Sequence, residues 1–373
     1  MKIDKKVFVN NTSVITAAGC DEKELFENIL SGNTGIKRDS NYFYNSAPAI
    51  GVINSNKTFE ENIIMQCQKI LDDSNLDSFE DTLLVVGSSV GGISTTEKVF
   101  FETKHYKNIK PHLHNINSIA YIIKKRFSFY DDISFSTACT SSSNALGYAY
   151  EVLSKGVYKN VLVVGADSLS KTTVGGFLSL GVLSSNPCRP FDIDRNGMNV
   201  SEGIACLLLQ NEKTKDSIEL CGVGYSSDSY HITNPHPNGE GAINAMKNAL
   251  KCANLDPSQI NYINAHGTGT VANDNAEAKA ISSLFSNKPF VSSTKSITGH
   301  TLGASGAIEA IISCLVIKNK LIPKNTFLIT PENNEIKLVK ENVKYEDLEY
   351  VLSNSFAFGG NNCSLIFGEI SEN

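Results

Sequence analysis

Short apolar runs recur along the chain, separated by stretches with the spacing of helices. "DTLLVVGSS", "DISFSTA", "NVLVVGADS", "IACLLLQ", "INYINAHG", "PFVSST" and "YVLSNSFAFGG" carry near-continuous apolar residues, the pattern of strands covered on both faces. Between them, "SSNALGYAYEVLSKG", "GAINAMKNALKCANL", "NAEAKAISSLF" and "SGAIEAIISCLVIKN" have helical length and periodicity. Alternation of this kind predicts an α/β architecture built on a buried sheet. Lys6 to Ile15 reads as the first strand, and the polar, irregular segment from Ser31 to Lys57 reads as loop.

The pattern echoes itself. "LLVVGSSVGG" resembles "INYINAHGTGT", "FSTACTSSSNALGYAYEVL" resembles "VSSTKSITGHTLGASGAIEAIISCL", and "VLVVGADS" resembles "YVLSNSFAFGG", in the same order. Similar buried strands alone can produce such echoes. A duplicated α/β unit explains the shared order as well. It places a seam at the charged stretch "NEKTKDS", with one half over residues 1–213 and the other over 214–373. Equivalent loops of two such halves meet at one end of the sheet. Chemistry is then expected where the halves diverge: Cys139 in one, His266 and "KSITGH" in the other.

Composition narrows the classes. With 41% hydrophobic and 19% charged residues over 373 positions, the chain has the make-up of a soluble globular protein. A net charge of −6 and the lack of a dense basic run predict no nucleic-acid partner, and "KKR" at Lys124–Arg126 reads as the exposed end of a helix. No window approaches the roughly 18 consecutive apolar residues of a spanning helix, so no membrane insertion is expected. The start faintly resembles a leader ending at Cys20, but Asn10, Asn11, Thr12 and Ser13 interrupt its apolar part. Nine scattered cysteines without C-x-x-C pairs predict a reducing, cytoplasmic setting rather than a disulfide framework or zinc site.

Several positions could carry chemistry. Cys139 in "STACTSSSNAL" is either a small buried hydrophobe or a nucleophile in the first turn of a helix, where the helix dipole and free N–H groups favour thiolate. His266 ends a buried strand in "NAHGTGTVANDNAEA"; Thr268 and Thr270 can bond an extended ligand arm or simply cap the turn, and Asp274 can orient the following loop. Lys295, near the end of a buried strand, needs an acidic partner, and Glu309 on the next helix is the candidate. His300 precedes a helix of small residues and so faces a cleft. In "NSFAFGGNN", Phe358, Gly359 and Gly360 form a turn whose N–H groups can serve an oxyanion. "GSSVGG" lacks the Lys-Ser/Thr of a phosphate loop. One thiolate and two imidazole N–H donors suit acyl transfer followed by stabilisation of an enolate, whereas a Cys–His–Asn or Cys–His–Asp set would suit hydrolysis.

Together these segments resemble the elongating β-ketoacyl-acyl-carrier-protein synthases of the thiolase-like fold. "STACTSSSNAL" resembles their nucleophile segment, "NAHGTGTVAND" the first histidine motif, "STKSITGHTLGASGAIE" the lysine and second-histidine motif, and "NSFAFGG" the glycine loop. "CRPFDIDRNGMNVSEGIACLLLQ" resembles the segment closing the first half. The resemblance implies a layered α-β-α-β-α fold. It also implies Cys139 as the acylated nucleophile, His266 and His300 on the decarboxylating malonyl unit, and Lys295 with Glu309 supporting them. The N–H groups of Cys139 and Phe358 would form an oxyanion hole, with the Phe358 ring gating the pocket. Thr268 and Thr270 would contact the phosphopantetheine arm, and the substrate-side set would extend to Gly359, Gly360 and Asp274. The implied partners are an acyl carrier protein and a second subunit, identical or synthase-like. No metal or cofactor is implied beyond the carrier's phosphopantetheine.

The chain departs from the family pattern at Ala357, where glycine is common, and at Asn361, where threonine is common. "FAFGGNN" and "CRPFD…GMNVSEG" look more like the branch of aryl-polyene and related pigment pathways. A silent chain-length-factor partner would lack the cysteine, and a CoA-dependent thiolase would need a second one within the late glycine motif, which Cys363 lies beyond. Lys104, Lys107 and Lys110 recur every third position and can meet an acidic carrier protein or form a solvated face.

Overall fold

The computed structural model describes residues 5–42, 47–332 and 334–370. Its centre is one eleven-stranded mixed sheet that reads as two matching series. The first contains β1 (Phe8–Thr16), then, after the short β2 (Ile36–Arg38) and β3 (Ala49–Gly51), β4 (Thr82–Gly87), β5 (Asp131–Phe135), β6 (Asn160–Asp167) and β7 (Gly203–Gln210). The second contains β8 (Ile218–Ser227), β9 (Ile260–Asn264) and β10 (Phe290–Ser292). After the short β11 (Leu321–Ile322), β12 (Lys337–Leu338) and β13 (Val343–Lys344), it ends in β14 (Tyr350–Phe356) and β15 (Asn361–Gly368).

The spatial order β5-β4-β6-β7-β1 is mirrored by β10-β9-β14-β15-β8, with β12 added at the far edge. In each series the first three strands are parallel and the last two antiparallel. The strand pairs that echo in sequence, β4 with β9, β5 with β10 and β6 with β14, occupy equivalent places. β1 and β8 join the series through only Phe8↔Glu219 and Val9↔Ile218, so the sheet can fold about that junction.

Helices α5 (Ser141–Ser154) and α10 (Ser305–Asn319) lie between the two series and touch strands of both. All but a few of their side chains are buried, which is why neither sequence shows a polar stripe. Glycine permits the close approach: a Cβ on Gly306 would stand 1.9 Å from Ser143 Oγ, and one on Gly165 would stand 2.8 Å from Ala307 Cβ. The outer layers are amphipathic helices. α2 (Phe59–Asp73), started by a Thr58–Glu61 capping box, packs on β1 and β7, and α7 (Glu240–Ala253) packs on β8 and β15. The result is the expected α-β-α-β-α layering.

Two expectations need correction. The segment 31–57 contains the β2–β3 hairpin as well as loop. Leu302–Asn319, with a mean hydropathy of 1.4, is apolar and long enough to cross a membrane, contrary to the sequence reading; 83% of it is buried inside the protein, as befits the central layer. Lys124–Arg126 does form the exposed end of a helix, Ser118–Arg126, whose other face is buried. Lys104, Lys107 and Lys110 are exposed but fall on a helix end and separate 3-10 turns, so they do not form one helical face.

Candidate active site

Each predicted functional segment leaves the carboxyl end of a parallel strand: Cys139 after β5, His266 after β9, Lys295 and His300 after β10, and Phe358 after β14. The two series bring these ends together. Cys139 Sγ and ring nitrogens of His266 and His300 all lie within 4.8 Å of one another. The two rings stand nearly perpendicular, with centroids 5.3 Å apart. They form one end of a cavity of about 480 Å³ whose wall also includes Thr268, Thr270, Phe356 and Phe358.

Hydroxyl groups build the turn that presents the cysteine. Ser141 Oγ accepts from the Thr137 N–H at 2.9 Å and donates to the Ala138 carbonyl at 2.7 Å, while Asn144 Nδ2 donates to Thr137 Oγ1 at 2.8 Å. These bonds hold Ala138 at φ 54°, a left-handed conformation rare for a residue with a Cβ. Here the sequence reading is corrected. Cys139 is not in the first turn of α5; it precedes the capping residue Thr140. Nor is thiolate favoured at rest. Burial pushes the Cys139 thiol up to about 11, outweighing the Lys295 charge and the Phe358 N–H that act in the opposite direction. The resting group is a thiol, 8% exposed.

His266 is fixed from both ends. Its backbone N–H and that of Gly267 donate to the two oxygens of Glu277, each at 2.8 Å. Its Nδ1 faces the Lys295 ammonium at 3.4 Å. His300 Nδ1 accepts from the Leu302 N–H at 3.1 Å and lies 2.9 Å from Ser305 Oγ. An ammonium and a backbone N–H can only donate, so Nδ1 is the acceptor in both rings and Nε2 carries the proton. Burial, and next the Lys295 charge, hold both imidazoles well below the ordinary histidine value. The site therefore contains two neutral N–H donors. Lys295 is itself buried and ion-paired with Glu309, whose carboxyl is raised by burial against the pull of that ammonium.

A cysteine and two histidines this close could also suggest a metal. The surroundings have the wrong polarity for one. Ligating histidines present an unprotonated nitrogen to the metal and donate the other N–H to a carboxylate or carbonyl. Here that second nitrogen meets a cation in one ring and an amide N–H in the other.

Thr268 and Thr270 line the cavity, their hydroxyls 2.9 Å apart. Gly359 lines it too, and its N–H donates to the Ile232 carbonyl at 2.8 Å. The Phe358 N–H is directed at Cys139 Sγ. Gly360, at φ 79°, shapes the turn without lining the cavity, because Asp228 backs it closely. Asp274 is a further correction. It is buried away from the cavity, accepts from the Phe191 N–H at 2.8 Å and pairs with Arg195, so it braces the loop rather than touching a ligand. Cys363 is buried in the strand core, and its thiol is pushed up by burial.

The sequence reading missed three groups. Glu277, pushed up to about 7 by burial, anchors the His266 loop; its one sequence signal is an acid on a face of alanines, "NAEAKA". Asp167 gathers Ser88, Ser89 and the Gly303 N–H beneath the site. His231 and Asp228 line the cavity from a loop that carries no motif of its own in the reading.

Comparison with known proteins gives the family. Residues 56–215 match the N-terminal domain model of β-ketoacyl synthases, and residues 218–328 match the C-terminal one. The chain is 34% identical to 3-oxoacyl-[acyl-carrier-protein] synthase 2 of Vibrio harveyi, covering 81% of this chain and 80% of that one. It is 29% identical to the enzyme of the same name from Coxiella burnetii, covering 98% and 99%. Among solved structures, the ketosynthase ApeO in complex with its chain length factor ApeC, from Xenorhabdus doucetiae, superposes with a TM-score of 0.88 at 30% identity over 98% of each chain. The chain belongs to the β-ketoacyl synthase family.

Proposed function

We propose that the protein is a β-ketoacyl-acyl-carrier-protein synthase that holds a growing acyl chain on Cys139 and extends it by two carbons. The convergence of Cys139, His266 and His300 within 4.8 Å carries this reading. In the first half-reaction, Cys139 sulfur attacks the carbonyl of an acyl thioester. The tetrahedral oxyanion receives the N–H groups of Cys139 and Phe358; the carrier thiol then leaves with the proton given up by Cys139. In the second, the malonyl C–C bond to the carboxylate breaks and carbon dioxide departs. Its electron pair forms an enolate whose oxygen takes the Nε2–H of both histidines. The enolate carbon attacks the acyl-Cys139 carbonyl, the new C–C bond forms, and the C–S bond breaks to release the cysteine as thiolate, which takes one proton from solvent to return to the resting thiol. A preorganised donor of this kind is worth about 10² to 10³ in rate.

Lys295, held by Glu309, keeps Nδ1 of His266 as the acceptor and so keeps Nε2–H turned to the cavity. Thr268 and Thr270 are the contacts for the phosphopantetheine arm, and Gly359 lets that arm pass. The ring of Phe358, 6.3 Å from Phe177, is the gate. Retention of Cys139 argues against a silent chain-length-factor role, and Cys363 in the strand core argues against a thiolase. We read residues 1–213 and 214–373 as duplicate units, on the matched strand orders. A second synthase-like subunit, as in the ApeO–ApeC complex, and a reducing cytoplasm suited to nine free thiols complete the reading, in line with the pigment-pathway motifs.

The test is stoichiometric. Given acyl- and malonyl-carrier protein, the protein should release one carbon dioxide for each 3-oxoacyl-carrier product. Carbon dioxide without that product, or a free fatty acid in its place, would rule out condensation.

A further inference from the structure

The two N–H groups read as oxyanion donors sit on chain segments from different series of the sheet, and a hydrogen-bonded hole works only if such groups are held to within about 0.5 Å. Most bonds of the Phe358 turn run to its own series. The Gly359 N–H donates to Ile232, the Asp228 N–H donates to Gly360, and Asn362 Nδ2 donates to Asp228. One side chain at the root of the turn reaches the cysteine segment. Asn361 closes the turn by accepting from the Ala357 N–H at 2.8 Å, and its Oδ1 lies 2.7 Å from Thr140 Oγ1 and 2.9 Å from Asn144 Nδ2.

Both partners belong to the structure that presents the nucleophile. Thr140 follows Cys139 and shares its hydroxyl with the Thr137 carbonyl, also at 2.7 Å. Asn144, on the first turn of α5, bonds Thr137 with the same amide group that reaches Asn361. Deeper in, Ser143 and Ser355 make a further bond between α5 and β14, below the level of the turn.

We propose that Asn361 is a positioning residue: its carboxamide clamps the Phe358 turn to the cap of α5 and so fixes the spacing of the Cys139 and Phe358 N–H groups. The inference rests on the reading of those groups as oxyanion donors. It separates two reactions of the same sulfur. Transfer of an acyl group passes through an oxyanion, whereas alkylation by iodoacetamide does not.

Asn361→Ala should therefore slow single-turnover acylation of Cys139 about tenfold to a hundredfold. The KM for acyl-carrier protein should stay within about twofold, and so should the iodoacetamide rate once it is referred to the thiolate fraction at each pH, because the Phe358 N–H also faces the sulfur. If Asn361→Ala does not fold, Asn361→Leu keeps the side-chain volume, removes the acceptor and leaves the Asn144–Thr137 bond that presents the cysteine, and it should slow acylation to the same extent with alkylation unchanged. Acylation at the wild-type rate, or acylation and alkylation falling in parallel, overturns the clamp. Failure of the wild-type protein to load at all would instead sink the functional reading, so the two failures are distinguishable.

Discussion

His300→Ala is expected to lose malonyl decarboxylation by about a hundredfold to a thousandfold while Cys139 still loads within about tenfold of the wild-type rate. The asymmetry follows from where charge develops. Loading places negative charge on an oxygen facing backbone N–H groups, and decarboxylation places it on an enolate facing the imidazoles. His300 can donate from Nε2 because the Leu302 N–H occupies Nδ1. Burial, and next the Lys295 charge, hold its pKa well below the ordinary histidine value. The sign of the pH dependence follows. An ordinary histidine would gain a proton near 6.5; with the value lowered, the wild-type decarboxylation rate should show no histidine-dependent step as pH falls from 8 through 6.5. Carbon dioxide release and the acyl-enzyme mass, measured on the same sample, check both statements. Equal loss of the two half-reactions in the variant would refute the division between them.

Glu309→Ala is expected to destabilise the protein by about 3–5 kcal/mol, because it leaves the Lys295 ammonium buried without a counter-charge. Pairing Glu309→Leu with Lys295→Met removes both charges together and should recover most of that stability. Condensation should not recover with it. Without the ammonium at Nδ1, His266 is free to change tautomer and turn an unprotonated Nε2 toward the enolate. Urea unfolding reads the first effect and carbon dioxide release the second. A double variant as active as wild type would show that Lys295 serves only the fold.

Legibility in the sequence tracked locality. Cys139, His266 and Lys295 stand within a few residues of strand ends, His300 one short helical turn further on, and all four have small or hydroxyl neighbours, so their segments announced themselves. The repeated order was visible because β4, β5 and β6 and their counterparts each run from apolar residues into a turn rich in glycine, serine or threonine. β8 was not read, since Gly222 and Gly224 break its pattern; a Cβ on Gly224 would stand 2.1 Å from the Ala245 carbonyl oxygen, so those glycines admit α7. β15 opens on the polar "NNCS", and Lys171–Ser179 hides its helix behind two glycines.

Long-range partners were harder. Asp274, in the helical turn that follows a loop of threonines and glycines, looks like a ligand group, yet besides the nearby Gly269 N–H and Asn273 it meets Phe191 and Arg195, far away in sequence. The thiol was misjudged for a related reason. The helix start is local and argues for thiolate, whereas the burial that overrides it comes from both series.

The central claim is that one sulfur holds the chain in front of two imidazoles. Intact-mass measurement after incubation with acyl-carrier protein tests it most directly. The account predicts a single acyl adduct, mapped to the peptide containing Cys139 and absent from Cys139→Ala. The same adduct in that variant, or one on another cysteine, would contradict it.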